Sequence, residues 1–328
     1  MKRLQLVGLG ISTIAVIWLI RTHDFSALPG LLGRLGPGYA LAAIACAMGS
    51  LLLRAARWRL LFGTIRPAMG QAFSALTIGY LFNNLLPGRA GDVVRAYVLG
   101  ESAATSKGRA LGTVALERVA DVLVLGALLG VVTLTYPLPG WFGRGVRAVA
   151  ITAAAGVLAL VAVHVFAGRT RALIAPLLDR LPPRVRAALV ATGRGFLDGI
   201  RGLSGSAAVS FAIATVLIWT TEIALMWCIA AGFGLSASPL KLLFVTLFIT
   251  LGTMIPSSPS YIGTFELFGV QAMTIVGFPV ELSLAFVVTL HAVIILGTTL
   301  PGAVSLMRMH RRLPLDYDFA FRERAGLP

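Results

Sequence analysis

Two breaks, each carrying Pro and Gly, interrupt sequence that is otherwise apolar enough to lie in a lipid bilayer. The first is Asn83-Asn84-Leu85-Leu86-Pro87-Gly88-Arg89-Ala90-Gly91-Asp92-Val93-Val94-Arg95. The second is Ile255-Pro256-Ser257-Ser258-Pro259-Ser260-Tyr261-Ile262-Gly263-Thr264-Phe265-Glu266. Each joins its Pro and Gly to a carboxylate. Inside a bilayer, backbone released from a helix is tolerated only where protein covers it or a watery cavity receives it. Interruptions in corresponding positions of two halves are the pattern by which sequence points to a transporter's binding site.

The rest of the chain supports a membrane setting. It is 57% hydrophobic and only 12% charged, against roughly 25% charged in a soluble domain. Apolar runs at Leu4–Ile20, Ala40–Leu53, Ala110–Thr135, Val146–Ala167, Ala207–Ala231 and Leu282–Leu306 approach or exceed the ~20 residues that span a bilayer. The expected class is therefore an all-α polytopic membrane protein. The net charge of +15 does not imply nucleic acid, because the arginines crowd the ends of apolar runs, where the positive-inside rule places them. Anionic lipid is the natural counter-charge. Cys46 and Cys228 lie in apolar runs and form no CxxC pair. Lys2 and Arg3 precede a long apolar run without an A-x-A site, which reads as an uncleaved anchor.

Arginine placement sets the expected topology. Arg54, Arg57, Arg59 and Arg66, the arginines between 168 and 206, and Arg308, Arg311 and Arg312 should all be cytoplasmic, with both termini. The run Ala68–Leu86 then starts inside, yet Lys107 and Arg109 beyond it are also inside. A re-entrant hairpin over about 68–104 resolves the parity, and the same logic makes about 239–278 a hairpin entering from the other face. The expected layout is six full transmembrane helices plus two opposed hairpins in a single membrane domain, 1–328. Its inverted repeats cover 1–136 and 146–307, followed by a cytoplasmic tail at 313–328. Asp92 to Glu117 and Glu266 to His291 are both separated by 25 positions, which fits such a repeat. The connection 168–206 carries Val185, Leu189, Phe196, Ile200 and Leu203 at helical spacing. It is either an interfacial helix or a helix packed on the bundle.

Charged groups inside spans cost roughly 2.5–3.5 kcal/mol each at a helix centre, so those present require a reason. Glu117, Arg118 and Asp121 share one span, with Glu117 and Asp121 on one helix face. Glu222 lies in another span, Glu266 follows the second break, and His291 lies in the last span. Glu222 and His291 are candidates for ion or proton coupling; His291 can equally serve as a packing hydrogen bond. The arginines can pair internally with Asp92, Glu117 and Asp121, or hold a ligand. Asp92 can cap the returning helical arm. Asn83 and Asn84 need polar partners, and Ser257 and Ser258 can bond the broken backbone or reach a headgroup. Pro87, Gly88, Gly91, Pro256, Pro259 and Gly263 are the expected turn residues. Arg89 and Arg95 suit phosphate, since a guanidinium fork matches its oxygens. P-loop, H-E-x-x-H and G-x-S-x-G motifs are absent from the sequence. The expectation is therefore no catalytic residues, no metal, no cofactor and no enzyme activity.

The segments FNNLLPGRAGDVVRAYVLG, ALERVADVLVL and PSSPSYIGTFELFG resemble the lysylphosphatidylglycerol synthase transmembrane-region family of flippase-like proteins, which includes UPF0104-type membrane proteins. That family carries N-x-x-x-P-x-R-x-G-[ED]-x-x-R, E-R-x-x-D and P-x-x-P-G-x-[IL]-G-x-x-E. Asn83 or Asn84, Pro87, Arg89, Gly91, Asp92 and Arg95 match the first element. Glu117, Arg118 and Asp121 match the second; Pro256, Pro259, Gly263 and Glu266 match the third. Ser260 stands where the family commonly has Gly, which bears on the tightness of the second turn. The resemblance implies a lipid translocase of the bacterial inner membrane. Its substrate would be a phosphate-containing lipid such as an aminoacylated phospholipid or polyprenyl-linked sugar, and its partner a lipid-modifying synthase or glycosyltransferase. A small-anion transporter and a membrane-embedded enzyme or accessory subunit are the alternatives.

Overall fold

The computed structural model describes residues 2–22, 26, 28–86, 89–103, 105–133, 151–152, 155–156, 176, 178–203, 205–254 and 257–312. Among the described residues the secondary structure is entirely helical, as the apolar periodicity requires. The helices are α1 (Lys2–Thr22), α2 (Leu28–Leu32), α3 (Pro37–Leu60), α4 (Met69–Leu85), α5 (Gly91–Ser102) and α6 (Lys107–Thr133). They continue as α7 (Pro183–Gly202), α8 (Ser206–Gly232), α9 (Pro239–Gly252), α10 (Thr264–Ile275) and α11 (Val280–Arg312). A 3-10 turn, Pro259–Tyr261, precedes α10.

The boundaries follow local chemistry. Proline opens α3, α7 and α9, where its missing N–H is not needed. Ser238 adds a side-chain cap to α9, accepting from the Lys241 N–H at 3.4 Å. At the start of α10, Glu266 turns back and accepts the Gly263 N–H at 2.7 Å. Three helices, Pro37–Leu60, Ser206–Gly232 and Val280–His310, are long and apolar enough to cross a membrane. Helix α6 has 27 residues but carries Glu117, Arg118 and Asp121 along its length. The expected span at 146–167 and the tail at 313–328 lie almost wholly outside the described residues.

Helices α4 and α5 fold back on each other. Gly79 faces Arg95, Asn83 bonds Gly91, and Gln71 bonds the Ser102 carbonyl, a pairing that runs antiparallel. A Cβ on Gly91 would strike the Gly79 carbonyl, so this close crossing demands glycine. Helices α9 and α10 form the matching pair, with Gly252 against Phe268 and Ile249 against Gly269. One apolar core joins α3, α4, α5 and α6 around Trp58, Phe62, Leu76 and Leu99. A second joins α6, α8, α9, α10 and α11 around Ile229, Phe248 and Phe286. A cavity lies between these two groups.

One reading needs correction, and one open alternative is decided. The second apolar run does not stop at Leu53: α3 continues to Leu60, so Arg54 and Arg57 belong to the helix rather than to a loop. Arg57 is buried at 1% exposure and cannot act as a topology-setting surface charge. Helix α7 packs along α6, its Gly195 and Gly199 set against Arg109 and Leu116, while Val185 and Leu189 stay exposed. Packing on the bundle and an outward apolar face thus coexist in one helix.

Candidate functional site

Ser50, Arg54 and Arg57 recur at helical spacing on α3, and this face meets the charges of α5 and α6. Arg57 Nη2 donates to Asp121 Oδ1 at 2.7 Å and to Glu117 Oε1 at 3.2 Å. Arg95 Nη1 donates to Glu117 Oε2 at 2.9 Å, and its Nε lies 3.3 Å from Asp92 Oδ1. Arg118 Nε stands 3.2 Å from Asp92 Oδ2, with Nη1 3.5 Å from Asp121 Oδ2. The contacts close into a ring: Asp92, Arg95, Glu117, Arg57, Asp121, Arg118 and back to Asp92. Three arginines face three carboxylates, so the ring sums to zero. The Trp58 ring lies 4.9 Å beneath Arg95, and Trp58 Nε1 donates to Thr113 at 3.1 Å.

Within this ring the residues divide. Arg95 and Glu117 are enclosed, at 1% and 0% exposure; Glu117 accepts from both Arg57 and Arg95, while Arg95 Nη2 is buried without a hydrogen-bond partner. Asp92 and Arg118 turn one side to a cavity of about 290 Å³. That cavity has a polar wall of Arg54, Tyr80, Asn83, Asn84, Arg89 and Glu222 and an apolar wall that includes Leu225, Met226, Ile249, Phe265 and Ile294. Glu222 accepts from Ser50 at 2.7 Å and Arg54 at 3.0 Å, a second neutral pair at the cavity edge.

The residues flanking the two breaks meet here. Ser260 Oγ donates to the Asn84 carbonyl at 3.0 Å, and Arg89 Nε donates to Tyr261 Oη at 3.2 Å. Arg89 Nη2 is 3.4 Å from the Thr253 carbonyl. Arg89, Ser260 and Tyr261 all hold positive φ, at 56°, 55° and 61°, a left-handed geometry that non-Gly residues adopt only when their surroundings impose it. Ser260 therefore keeps the turn that glycine would make more easily. Arg89 differs from the other arginines lining the cavity: among the described residues it contacts no carboxylate.

His291 faces the second break. Its Nε2 is 2.8 Å from the Ser260 carbonyl and its Nδ1 is 2.5 Å from Glu266 Oε1. A carbonyl can only accept, so Nε2 carries a hydrogen. The carboxylate at Nδ1 then requires one further proton shared by His291 and Glu266. Phe265 stacks on the imidazole at 4.0 Å. The two 25-residue spacings thus correspond to contacts: Glu266 touches His291 directly, and Asp92 and Glu117 are joined through Arg95.

The remaining expected site residues are occupied by the fold. Asn83 Oδ1 accepts the Gly91 N–H at 2.8 Å, and Asn84 Nδ2 donates to Thr298 and Thr299 at 2.8 and 3.0 Å. Thr264 Oγ1 donates to Ser257 Oγ, Ser258 Oγ donates to the Ile262 carbonyl, and the Ser258 N–H donates to Ser12 Oγ. Pro259 begins the 3-10 turn, and Gly263, at φ 92°, sits at the start of α10. Pro87, Gly88 and Pro256 lie outside the described residues. Sequence reasoning missed Arg54, Arg57 and Tyr261 as site residues. The i, i+4, i+7 spacing of Ser50, Arg54 and Arg57 was the available signal, since it puts three polar groups on one helical face.

A multi-pass helical membrane protein with a charged, half-apolar internal cavity is the class defined by this fold and site. The chain belongs to the lysylphosphatidylglycerol synthase TM region family, whose sequence profile matches residues 5–302. It is similar to the glycosyltransferase AglD of Haloferax volcanii, at 25% identity over 343 residues, covering 94% of this chain and 55% of that protein. It is also similar to a UPF0104 membrane protein of Methanothermobacter thermautotrophicus, at 29% identity over 289 residues, covering 81% of this chain and 84% of that protein. The chain thus spans about half the length of AglD. No solved structure matches the chain. These findings correct the expectation of no enzyme activity. The family is named for a lipid synthase and one relative for a glycosyltransferase, so the family is enzyme-related. Missing P-loop, H-E-x-x-H and G-x-S-x-G motifs bear on nucleotide binding and on soluble hydrolases, and say nothing of transfer chemistry at a membrane.

Proposed function

We propose that the chain moves a phosphate-containing lipid headgroup between the leaflets of a bacterial inner membrane, with both termini cytoplasmic. The observation that carries this reading is Arg89. It stands at the meeting point of the two breaks, lines the cavity, and contacts no carboxylate among the described residues. With Nε and Nη2 each making one bond, to Tyr261 and Thr253 respectively, the Nη1–Nη2 edge of Arg89 keeps N–H groups for a phosphate, while Asp92, Arg118 and Glu222 can hold the charged remainder of an aminoacyl or sugar headgroup. The apolar wall suits the first methylenes of the tails. This half-apolar lining favours a lipid over a small soluble anion.

The helix lengths support the layout of six full spans and two re-entrant hairpins. Helices α5, α9 and α10 have 12, 14 and 12 residues, or roughly 18–21 Å at 1.5 Å per residue, short of the ~30 Å hydrocarbon core. In this reading α4–α5 and α9–α10 are the hairpins of inverted repeats. The proton held between Glu266 and His291 is the coupling group. A lipid made by a synthase or glycosyltransferase on one face would be delivered to the other. The test is headgroup exposure of a fluorescent phospholipid in proteoliposomes. Exchange clearly faster than in protein-free vesicles is expected; equal rates would remove the proposal. Labelling of a Ser102→Cys variant in intact cells checks orientation, and strong external labelling would reverse it.

A further inference from the structure

A second pocket, of about 760 Å³, opens where the end of α3, the start of α6, the end of α7 and the start of α8 converge. Among the described residues it is lined by Arg66, Arg109 and Arg201, with Asp198 as the one carboxylate. Three guanidiniums against one carboxylate leave a formal charge of +2. Asp198 does little to neutralise them, standing 3.9 Å from Arg201 in an exposed i, i+3 pair.

Two of the arginines are held in place by backbone. Arg109 Nη2 donates to the Phe62 carbonyl at 3.2 Å, and Arg66 Nε donates to the Gly63 carbonyl at 3.0 Å. Both carbonyls belong to the turn that ends α3, which meets α7 backbone to backbone where Gly63 touches Gly202. Arg109 Nε is buried without an acceptor. A buried donor left unmatched is costly, and here it belongs to a side chain that already lines an open pocket. Helix α8 begins at the same pocket, with Ala207 in its wall and no side-chain cap at Gly205. Its first N–H groups add positive potential there.

We infer that this pocket is a second anion site, specific for a phosphate group, separate from the cavity at the two breaks. Anchoring Arg66 and Arg109 by one arm each leaves their other N–H groups preorganised for a tetrahedral oxyanion, which lowers the ordering cost of binding. Arg54 to Phe62 along α3, and Arg118 to Arg109 along α6, are eight and nine residues by subtraction, or roughly 12–14 Å of helix rise. The pocket is thus more than two helical turns from Arg54 and Arg118, the cavity residues on these two helices. The phosphate can belong to a lipid headgroup or to a free ion, and the inference does not depend on translocation.

The test uses the full chain in maltoside detergent, carrying Arg89→Lys to weaken the first site. Thermal shift and calorimetry follow binding of a short-chain phosphatidylglycerol in one arm and inorganic phosphate in the other. An Arg66→Gln/Arg201→Gln variant should bind the occupying probe at least tenfold more weakly, with an unchanged melting temperature when no probe is present. Both side chains are solvent-facing, so the fold should tolerate the change. An Arg184→Gln/Arg194→Gln variant removes two equivalent charges from α7 outside the pocket and should bind as before. Arginine-dependent binding of the lipid alone assigns the site to a bilayer headgroup; the same dependence with inorganic phosphate assigns it to a free ion. Failure of both probes to bind, or equal weakening by the two double variants, would overturn the inference.

Discussion

The two breaks solve the same problem with different chemistry. Around the first, the returning helix is held mainly by charge: Asp92 and Arg95 of α5 join a closed ring with Arg57, Glu117, Asp121 and Arg118, beside the neutral Asn83–Gly91 bond. Around the second, it is held by neutral or proton-sharing bonds: the Glu266 cap, the Ser257–Thr264 and Ser258–Ile262 contacts, and the His291 bridge to Ser260. A charge ring fixes geometry strongly but tolerates little loss, because each member compensates two others. A hydrogen-bonded cap can exchange a charged partner for a neutral one if donors still match acceptors. The first half should therefore be brittle and the second permissive.

Arg57→Ala is the largest way to break that contrast. Arg57 is buried between Glu117 and Asp121, and removing it leaves Asp121 with only the 3.5 Å contact to Arg118. Stripping one partner from a buried pair costs about 3–5 kcal/mol. Loss of most folded protein in detergent, or a steep fall in melting temperature, is expected. A melting temperature equal to the parent's would show that the ring is not structural.

A matched pair of isosteres sharpens the comparison. Glu117→Gln replaces two accepting oxygens with one and points an amide N–H at Arg57 or Arg95, so a loss of about 1.5–3 kcal/mol is expected from charged hydrogen bonds. Glu266→Gln keeps an oxygen for the Gly263 N–H and offers an amide hydrogen to Nδ1 of a neutral His291, whose Nε2 still donates to Ser260. Its stability should change by less than about 1 kcal/mol. If Glu266 carries the coupling proton, the same variant should translocate lipid poorly despite its intact fold. Equal melting temperatures for the two glutamines would end the claimed difference between the halves.

The same asymmetry governed what could be read in advance. Both breaks, the all-helical class and the acidic positions were legible, because Pro, Gly and charge are conspicuous in apolar sequence. Arg54 and Arg57 were misplaced because a charged end of an apolar run looks the same whether it leaves the membrane or turns inward to a carboxylate. Only the partner 60 or more residues away decides, and spacing along one helix does not reveal that partner. Arg89 and Arg95 looked alike in sequence for the same reason. In the fold, one is enclosed by Glu117 and Asp92, and the other contacts a phenol and a carbonyl.

Arg89→Lys tests that division at intermediate size. Lysine keeps the charge but not the planar fork, so headgroup translocation should fall about tenfold, equivalent to ~1.4 kcal/mol, with melting temperature nearly unchanged. Translocation at the parental rate would return Arg89 to the scaffold. Arg95→Lys should show the opposite pattern, with stability falling first, since its Nη1, Nε and aromatic contacts are all internal.

The smallest effect concerns Ser260, where strain and a hydrogen bond oppose each other. Its left-handed φ of 55° costs about 1 kcal/mol or more in a non-Gly residue. Its Oγ bond to the Asn84 carbonyl returns about 0.5–1.5 kcal/mol and ties the second break to the first. Ser260→Gly releases the strain, loses the bond, and adds about 0.4–1 kcal/mol of unfolded-chain entropy. The three terms nearly cancel, so its melting temperature should stay close to the parent's. Ser260→Ala loses the bond but keeps the strain, and should be less stable by about 1 kcal/mol. The order expected from thermal melts is parent and glycine together, with alanine below. Glycine falling as far as alanine would mean that the turn is not strained at Ser260, and that the inter-break hydrogen bond alone sets its stability.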